Sequence, residues 1–332
     1  MTVVLAVESA TDAAGVALAD EGGLLAELRV GRGRRHAETI APGIDTVCRL
    51  AGVTLRDVDA VAVDVGPGLF TGLRVGIATV KGIASALALP VVPVTSLDVL
   101  AAAVAAACPG TGAPRSVVAV VDARRGEVFW SRYRLPAVPG GGAPAATGRG
   151  VPAAGVPGAE PGAGVPGGGP AAWAPGAGPA AWVPWPAPPE RISEPVSCAP
   201  AVLAAELAGL VEAEPSPPVL VGDGAVRYAA ELAVPGVVLA DPVLAHPSVS
   251  VLAAVGVRRA ATGSAVDAAT VDALYVRDAD ARINWERRRP PRPAAGAAED
   301  DGAGGALAPS RGERRPAAPH GPPGGAAGRA GS

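Results

Sequence analysis

Lysine is almost missing from this chain: Lys81 is the single one in 332 residues, and arginine supplies nearly all the positive charge. Aromatic residues make up only 3%. The three cysteines, Cys48, Cys108 and Cys198, are odd in number, widely spaced and set among apolar neighbours. Buried thiols in a reducing cytosol explain that better than a disulfide framework does. The three histidines, His36, His246 and His320, have no carboxylate at metal-ligand spacing. H-E-x-x-H, C-x-x-C and G-x-S-x-G are all absent, which removes the common zinc sites and the hydrolase elbow. A net charge of −3 leaves no footprint for nucleic acid or an anionic membrane. The longest apolar region, "ALALPVVPVTSLDVLAAAVAAAC", is broken by Pro90, Pro93 and Asp98. The N-terminal run in "MTVVLAVES" is too short for a secretion signal. A soluble cytoplasmic protein is expected.

What the chain has in excess is glycine and proline, 45 and 36 residues, first of all a mark of GC-rich coding. Their distribution still divides the sequence. Residues 1–135 read as an ordered α/β unit. Thr2–Ser9, Ala14–Asp20 and Leu24–Val30 look like three strands. Ile40, Ile44, Val47, Cys48 and Ala51 then mark one face of a helix, with Pro42 near its first turn or kinking it. Ala60–Gly66 is a continuous apolar strand, followed by a glycine turn, a helix, "VVPV", a helix capped at Ser96 and the hairpin "SVVAVVDARRGEVFWSRYR". Three strands, helix, strand, helix, strand is the element order of one actin/hexokinase-type lobe, with other mixed α/β folds in competition. Residues 136–192 form a Pro/Gly/Ala-rich insertion in which "GPAAW.P" occurs twice, expected to be disordered, with Trp173, Trp182 and Trp185 lying loosely or meeting a partner. A smaller lobe is expected over 193–288. The segment 289–332 reads as a disordered tail; from Glu286 on it holds eight basic and five acidic residues.

The stretch "VDVGPGLFTGLRVGIATVKG" has the layout of a phosphate loop but not its residues. A P-loop needs Lys and Ser or Thr after the last glycine, where Leu73 and Arg74 stand. A dinucleotide fingerprint needs glycine at Thr71. The following helix places Leu73, Ile77, Val80 and Ala84 on one apolar face and Gly72, Gly76, Thr79 and Ile83 on a second. Only the line of Arg74, Ala78, Lys81 and Ser85 suits water. Interior glycine costs about 1 kcal/mol against alanine, so Gly76 and Gly82 call for compensation by a closely approaching neighbour. That neighbour belongs either to the same chain or to another subunit; the pattern weighs the two equally. For chemistry, Glu8, Ser9, Thr11 and Asp12 in "ESATDAAG", together with Asp122 and Asp223, are the candidates for a nucleotide site. They lack the D-x-G-x-T/S layout of an actin-like ATPase.

Five stretches in order, "LAVESATDAAGVAL", "HAETIAP", "GPGLFTGLRVGIATVKGIA", "VVDARRGEVFW" and "YVRDADARINWERR", resemble the TsaB family, the dimerisation subunits of the bacterial tRNA threonylcarbamoyladenosine machinery. The resemblance covers 2–135 well and 218–288 loosely. It implies an α/β, actin-like (ASKHA, ribonuclease-H-like) two-lobed fold with mixed sheets and a reduced second lobe. It also implies a non-catalytic partner of the catalytic relative TsaD. TsaD carries H-x-x-x-H; here His36 is followed at the second position by Ile40, which cannot ligate metal. The implied partner surface comprises His36, Glu38, Ile40, Ile44 and Val47 on one helix. On the other it comprises Phe70, Leu73, Arg74, Gly76, Ile77, Val80 and Ile83. The same surface would self-associate when TsaD is absent, and the ATPase TsaE would join the assembly. Glu8, Ser9, Thr11, Asp122 and Asp223 would be a vestigial nucleotide site. No metal is implied and no cofactor is certain, ATP or ADP at the complex interface being the one candidate. Contact with tRNA would be indirect or weak. An independent actin-like ATPase or kinase is the alternative. Glu8 stands where aspartate is common in the family, and Leu69 where serine is common.

Overall fold

The structure is a computed structural model that describes residues 2–31, 36–107, 115–136 and 187–276. The twice-repeated tryptophan motif, the basic tail, Cys108 and "RDADARINWERR" lie outside the described residues. Every described element falls within the compact unit Met1–Ala279.

The first sheet contains β1 (Val4–Glu8), β2 (Ala14–Asp20), β3 (Gly23–Val30), β4 (Ala60–Asp64) and β5 (Val91–Val94) in the order β3-β2-β1-β4-β5. The β1, β2 and β3 meander is antiparallel, whereas β4 and β5 run parallel to β1. The second sheet contains β6 (Arg115–Arg124), β7 (Glu127–Leu135), the short β8 (Glu190–Arg191) and β9 (Val196–Cys198), β10 (Val219–Val221) and β11 (Val238–Leu239). Its order, β11-β10-β6-β7-β8 with β9 also on β7, repeats the first sheet: an antiparallel pair beside a centre strand, and two parallel strands on its other side. This is the doubled mixed-sheet architecture of the actin-like fold, with the second copy built from shorter strands.

Alternation along β1 assigns the faces. Leu5 and Val7 pack under the helices α1 (His36–Ala51) and α2 (Phe70–Leu87), together with Ile40, Ile44, Val47, Leu73, Ile77 and Val80. Val4 and Ala6 face the opposite way, toward α3 (Ser96–Ala107) and α6 (Val249–Ala261). In the second sheet Val117, Ala119 and Val121 pack on α3, while Val118 and Val120 pack on α4 (Pro200–Ala213) and α5 (Asp223–Arg227). A strand buried on both faces must be apolar throughout, which is why β1, β4 and most of β6 read as unbroken runs.

Three features differ from the sequence expectation. The hairpin Arg115–Leu135 belongs to the second sheet, so the sheets divide after α3 rather than at residue 135. Nothing in a hairpin's own sequence says which sheet it will join; the parallel pairing of β6 with β10, about a hundred residues later, decides it. Next, α6 does not serve the second sheet alone but packs on the first, where a Cβ on Gly256 would come within 2.6 Å of Ala62 Cβ. Finally, Thr95 rather than Ser96 caps α3, its Oγ1 accepting from the Asp98 amide at 3.1 Å. Pro42 lies inside α1 and is tolerated there. Among the described residues no helix is long and apolar enough to cross a membrane.

Candidate functional site

The glycine motif after β4 is a seat for another part of the same chain. A Cβ on Gly68 would fall on the carbonyl oxygen of Ala10, one on Gly72 on that of Ser9, and one on Gly76 on Ser9 Oγ. These glycines recur every four residues, so one edge of α2 is a backbone groove that holds the β1–β2 turn. Within it the Ser9 hydroxyl donates to Gly72 O at 2.9 Å, and Leu69 N donates to Ala10 O at 2.6 Å. His36 Nε2, the donor in the tautomer that fits, lies 2.9 Å from Thr11 O, and the ring packs against Gly72. Gly76 was expected to leave room for another helix; that room is filled by Ser9. Gly82 is exposed, with nothing within 4 Å of its would-be Cβ.

Beneath this seat lies a pair of carboxyls at the ends of the adjacent parallel strands β1 and β4. Glu8 and Asp64 are 1% and 0% exposed. Glu8 accepts from Ala10 N at 2.8 Å, and Asp64 Oδ1 accepts from Gly66 N at 2.7 Å and from the Ser96 hydroxyl at 2.8 Å. Burial, and then the neighbouring Asp64 charge, hold the Glu8 carboxyl well above the usual range. Burial pushes Asp64 up to about 7 against the opposing bonds from Gly66 and Ser96. Among the described residues Asp64 Oδ2 has no hydrogen-bond partner, and a proton on the neighbouring Glu8 carboxyl would satisfy it. The sequence reading passed over Asp64. The available signal was a lone acid at the end of a wholly apolar strand.

The remaining nucleotide-site candidates divide by location. Glu8, Ser9 and Thr11 are turned into the fold, whereas Asp12, Asp122 and Asp223 meet where the two sheets approach each other. Arg124 lies between them: Nη2 is 3.0 Å from Asp12 Oδ2 and Nη1 is 3.1 Å from Asp122 Oδ2. Arg227 Nε adds a second cation 3.5 Å from Asp122, whose side chain is 3% exposed. Asp223 accepts from the Asp122 amide at 3.0 Å, and burial raises its carboxyl above the ordinary value. Arg124 and Arg125 have φ of 62° and 57°, a left-handed conformation that costs non-glycine residues about 1–2 kcal/mol each. It aims Arg124 across at Asp12. A guanidinium thus stands between the carboxylates of Asp12 and Asp122. Among the described residues no group of three or more His, Cys, Asp or Glu is placed to hold a metal.

The surface of α1 and α2 also has to be redrawn. His36, Ile40, Ile44, Val47, Leu73, Gly76, Ile77 and Val80 are all buried within the chain and have no area left for a partner. Burial in this chain's own core follows from the apolar face that made them stand out. Glu38, Phe70 and Arg74 are exposed and Ile83 is half-buried. The second apolar side of α2 is covered by residues 264–276, which run back from α6. Ala268 and Val271 join the core under α2, Val266 bridges to Val91, and Leu274 N donates to Val65 O at 2.7 Å. Tyr275 ends this segment against Phe70, centroids 5.7 Å apart, and the Arg74 guanidinium lies 3.8 Å over the Phe70 ring. Among the described residues a stripe stays exposed: Phe70, Thr71, Arg74, Ala78, Gly82 and Ser85 on α2, with Glu38, Ala41 and Asp45 on α1.

Residues 17–138 match the family model described as "TsaD: tRNA N6-adenosine threonylcarbamoyltransferase". The chain is 37% identical over 131 residues to "tRNA threonylcarbamoyladenosine biosynthesis protein TsaB" of Escherichia coli, covering 40% of this chain and 54% of that protein. It is 38% identical over 128 residues to the Haemophilus influenzae protein of the same name, covering 39% and 52%. It therefore spans about half the length of the curated relatives it matches. Among solved structures, YeaZ from Pseudomonas aeruginosa aligns with a TM-score of 0.59 at 25% identity, covering 83% of this chain and all of that one.

Proposed function

Because this chain belongs to the TsaB/YeaZ family, we propose that it acts in tRNA threonylcarbamoyladenosine modification as a non-catalytic subunit. In this reading it binds TsaD through the outer stripe of α1 and α2, and pairs with a second copy of itself when TsaD is absent. TsaE joins the assembly, tRNA is met indirectly, and the setting is the cytoplasm. The observation that carries the proposal is that, among the described residues, α2 is covered on every side but one. The side left open is a line of small residues ending in Phe70 and Arg74, which lets a second helix approach closely with an aromatic and an arginine at one end. Ile40 supports the absence of catalysis: it fills the second histidine position of the catalytic relative and is 1% exposed in the core. The reading as an independent ATPase loses support at Arg124, which already holds Asp12 and Asp122.

The test is to mix the purified chain with TsaD of the same cell and measure mass in solution. A heterodimer at micromolar concentration is expected. Gly82→Leu, whose added Cβ has nothing within 4 Å among the described residues, should weaken the complex at least about tenfold while leaving the chain folded. No complex at that concentration, or an unaffected variant, overturns the reading.

A further inference from the structure

Among the described residues β3 pairs with β2 on one side and with nothing on the other. The opposite edge of the same sheet is bridged, Val91 of β5 to Val266, and the outermost strands of the second sheet, β8 and β11, have two residues each. Edge strands are ordinarily kept from pairing by proline, lysine, shortness or a bulge. β3 has eight residues, with neither proline nor lysine among them. Its ladder to β2 has one irregularity, where the pairing steps from Leu18–Ala26 to Ala19–Leu24 and leaves Leu25 out. Ala26–Val30 is therefore the regular stretch of the open edge, and Leu28 is its centre.

Side chains alternate between the two faces along that stretch. Ala26 and Leu28 pack toward the core under α1, while Glu27 and Arg29 lie on the other face and are exposed. Two copies related by a two-fold axis normal to the sheet bring their strands together antiparallel, with each face kept on its own side. Such an axis passes through a residue, not between two. Through Leu28 it sets Leu28 against its own copy and each Ala26 against a Val30. It also sets each Glu27 against an Arg29, so both ion pairs form at once. Through Glu27 or Arg29 it would set two like charges directly opposite, which destabilises a sheet. Through Ala26 it would run the ladder across the irregularity at Leu25. The register that charge selects is thus the one that the backbone selects, and it covers Val30, now 38% exposed.

We propose that β3 is a docking edge for a second copy of this chain, the two strands running antiparallel about a two-fold axis through Leu28 with Glu27 of each copy against Arg29 of the other. β3 supplies no residue to the helical stripe, so the proposal does not depend on how the chain meets TsaD. The experiment is sedimentation of the full chain carrying Gly82→Leu, which closes the stripe to a second copy. A dimer with a dissociation constant of about 100 µM or tighter is expected, in the range of small, weak interfaces. Glu27→Arg and Arg29→Glu, each added alone, leave only like charges across the contact and should weaken it at least about tenfold. Mixed with each other, the two variants have complementary charges in the Leu28 register and should recover the dimer, as should the double reversal within one chain. A monomer at about 500 µM, a dimer indifferent to both reversals, or a mixture that stays monomeric would each overturn the proposal. If Gly82→Leu leaves association as it was, the stripe reading fails and the same reversals in the parent chain decide this one. Arg29 also acts on the buried charge of Glu8; if Arg29→Glu does not fold, Glu27→Arg, at an exposed side chain, decides alone, and an unweakened dimer overturns the proposal.

Discussion

Gly76→Ala is the substitution that most directly separates the in-chain role of the α2 glycines from a role at a partner. The added Cβ falls on Ser9 Oγ, which donates to Gly72 O inside the core. The hydroxyl must turn away, giving up a buried hydrogen bond of about 1–1.5 kcal/mol, and the crowding adds about 1–3 kcal/mol. Against this, alanine in a helix interior gains about 1 kcal/mol over glycine. The net expectation is a loss of about 1–3 kcal/mol. Gly82→Ala makes the same helix-propensity gain with nothing in its way, so it should stabilise by up to about 1 kcal/mol. Urea denaturation of the two variants reads the difference directly. The partner of the clash can be removed as well: with Ser9→Ala in place, the next atom is Ser9 Cβ at 3.4 Å, an ordinary contact. The double variant Ser9→Ala/Gly76→Ala should therefore be more stable than the two single changes predict, by about 1 kcal/mol or more. A Gly76→Ala protein as stable as the parent, or a double variant that is merely additive, would refute the seating of α2 on Ser9.

Two further outcomes follow from the buried charges. Asp64 titrates near 7 in the fold against about 3.8 when unfolded, so between those values the folded state holds the extra proton and stability falls as pH rises. Asp64→Asn keeps both acceptor bonds to Oδ1 and should flatten the decline between about pH 4.5 and 6.5 by up to about 1.4 kcal/mol per pH unit, read by denaturation across that range. An unchanged slope would dismiss the Glu8–Asp64 pair as a proton holder. Arg124→Gln leaves Asp122 with the half-exposed Arg227 as its paired cation, beside the residue-124 amide and the Tyr228 hydroxyl, and should cost about 1–3 kcal/mol. Arg124→Gly should cost about 1 kcal/mol less than Arg124→Gln, because glycine relieves the φ of 62°; thermal melts of the two variants give the comparison.

The helices of the first sheet were legible from one dominant period, and its central strands from unbroken apolar runs bounded by turn residues. The i, i+4, i+7 face of α1 names both the element and its buried side, while β2, buried along its whole length, shows itself only as a short apolar run. The second sheet's membership was not legible, because β6 is apolar on both faces and would suit either sheet equally. The segment 264–276 was invisible for another reason. Its contribution rests on Ala268, Val271 and a few backbone bonds, in a stretch with neither helical nor strand periodicity. The candidate acids were found at the right turns, yet sequence could not tell an acid facing into the fold, as Glu8 does, from one facing the cleft, as Asp12 does.

The α2 glycines show why the partner surface resisted a reading from pattern alone. A glycine every four residues means that something approaches the helix closely, but the pattern is the same whether the visitor is a turn of the same chain or a helix of another. Coordinates break the tie residue by residue. Gly68, Gly72 and Gly76 are in contact with Ser9 and Ala10, and only Gly82 remains open. The two sets are nonetheless linked. The seat at Ser9 fixes the rotation of α2 about its axis, and that rotation decides which residues lie along the open stripe. A change at Gly76 that shifted α2 would therefore alter partner binding without touching the partner. Ser9→Ala/Gly76→Ala, in which the helix can settle back, should recover complex formation with TsaD. Gly82→Leu should not be rescued by Ser9→Ala. Rescue of both variants, or of neither, would mean that seat and stripe are not coupled through the helix.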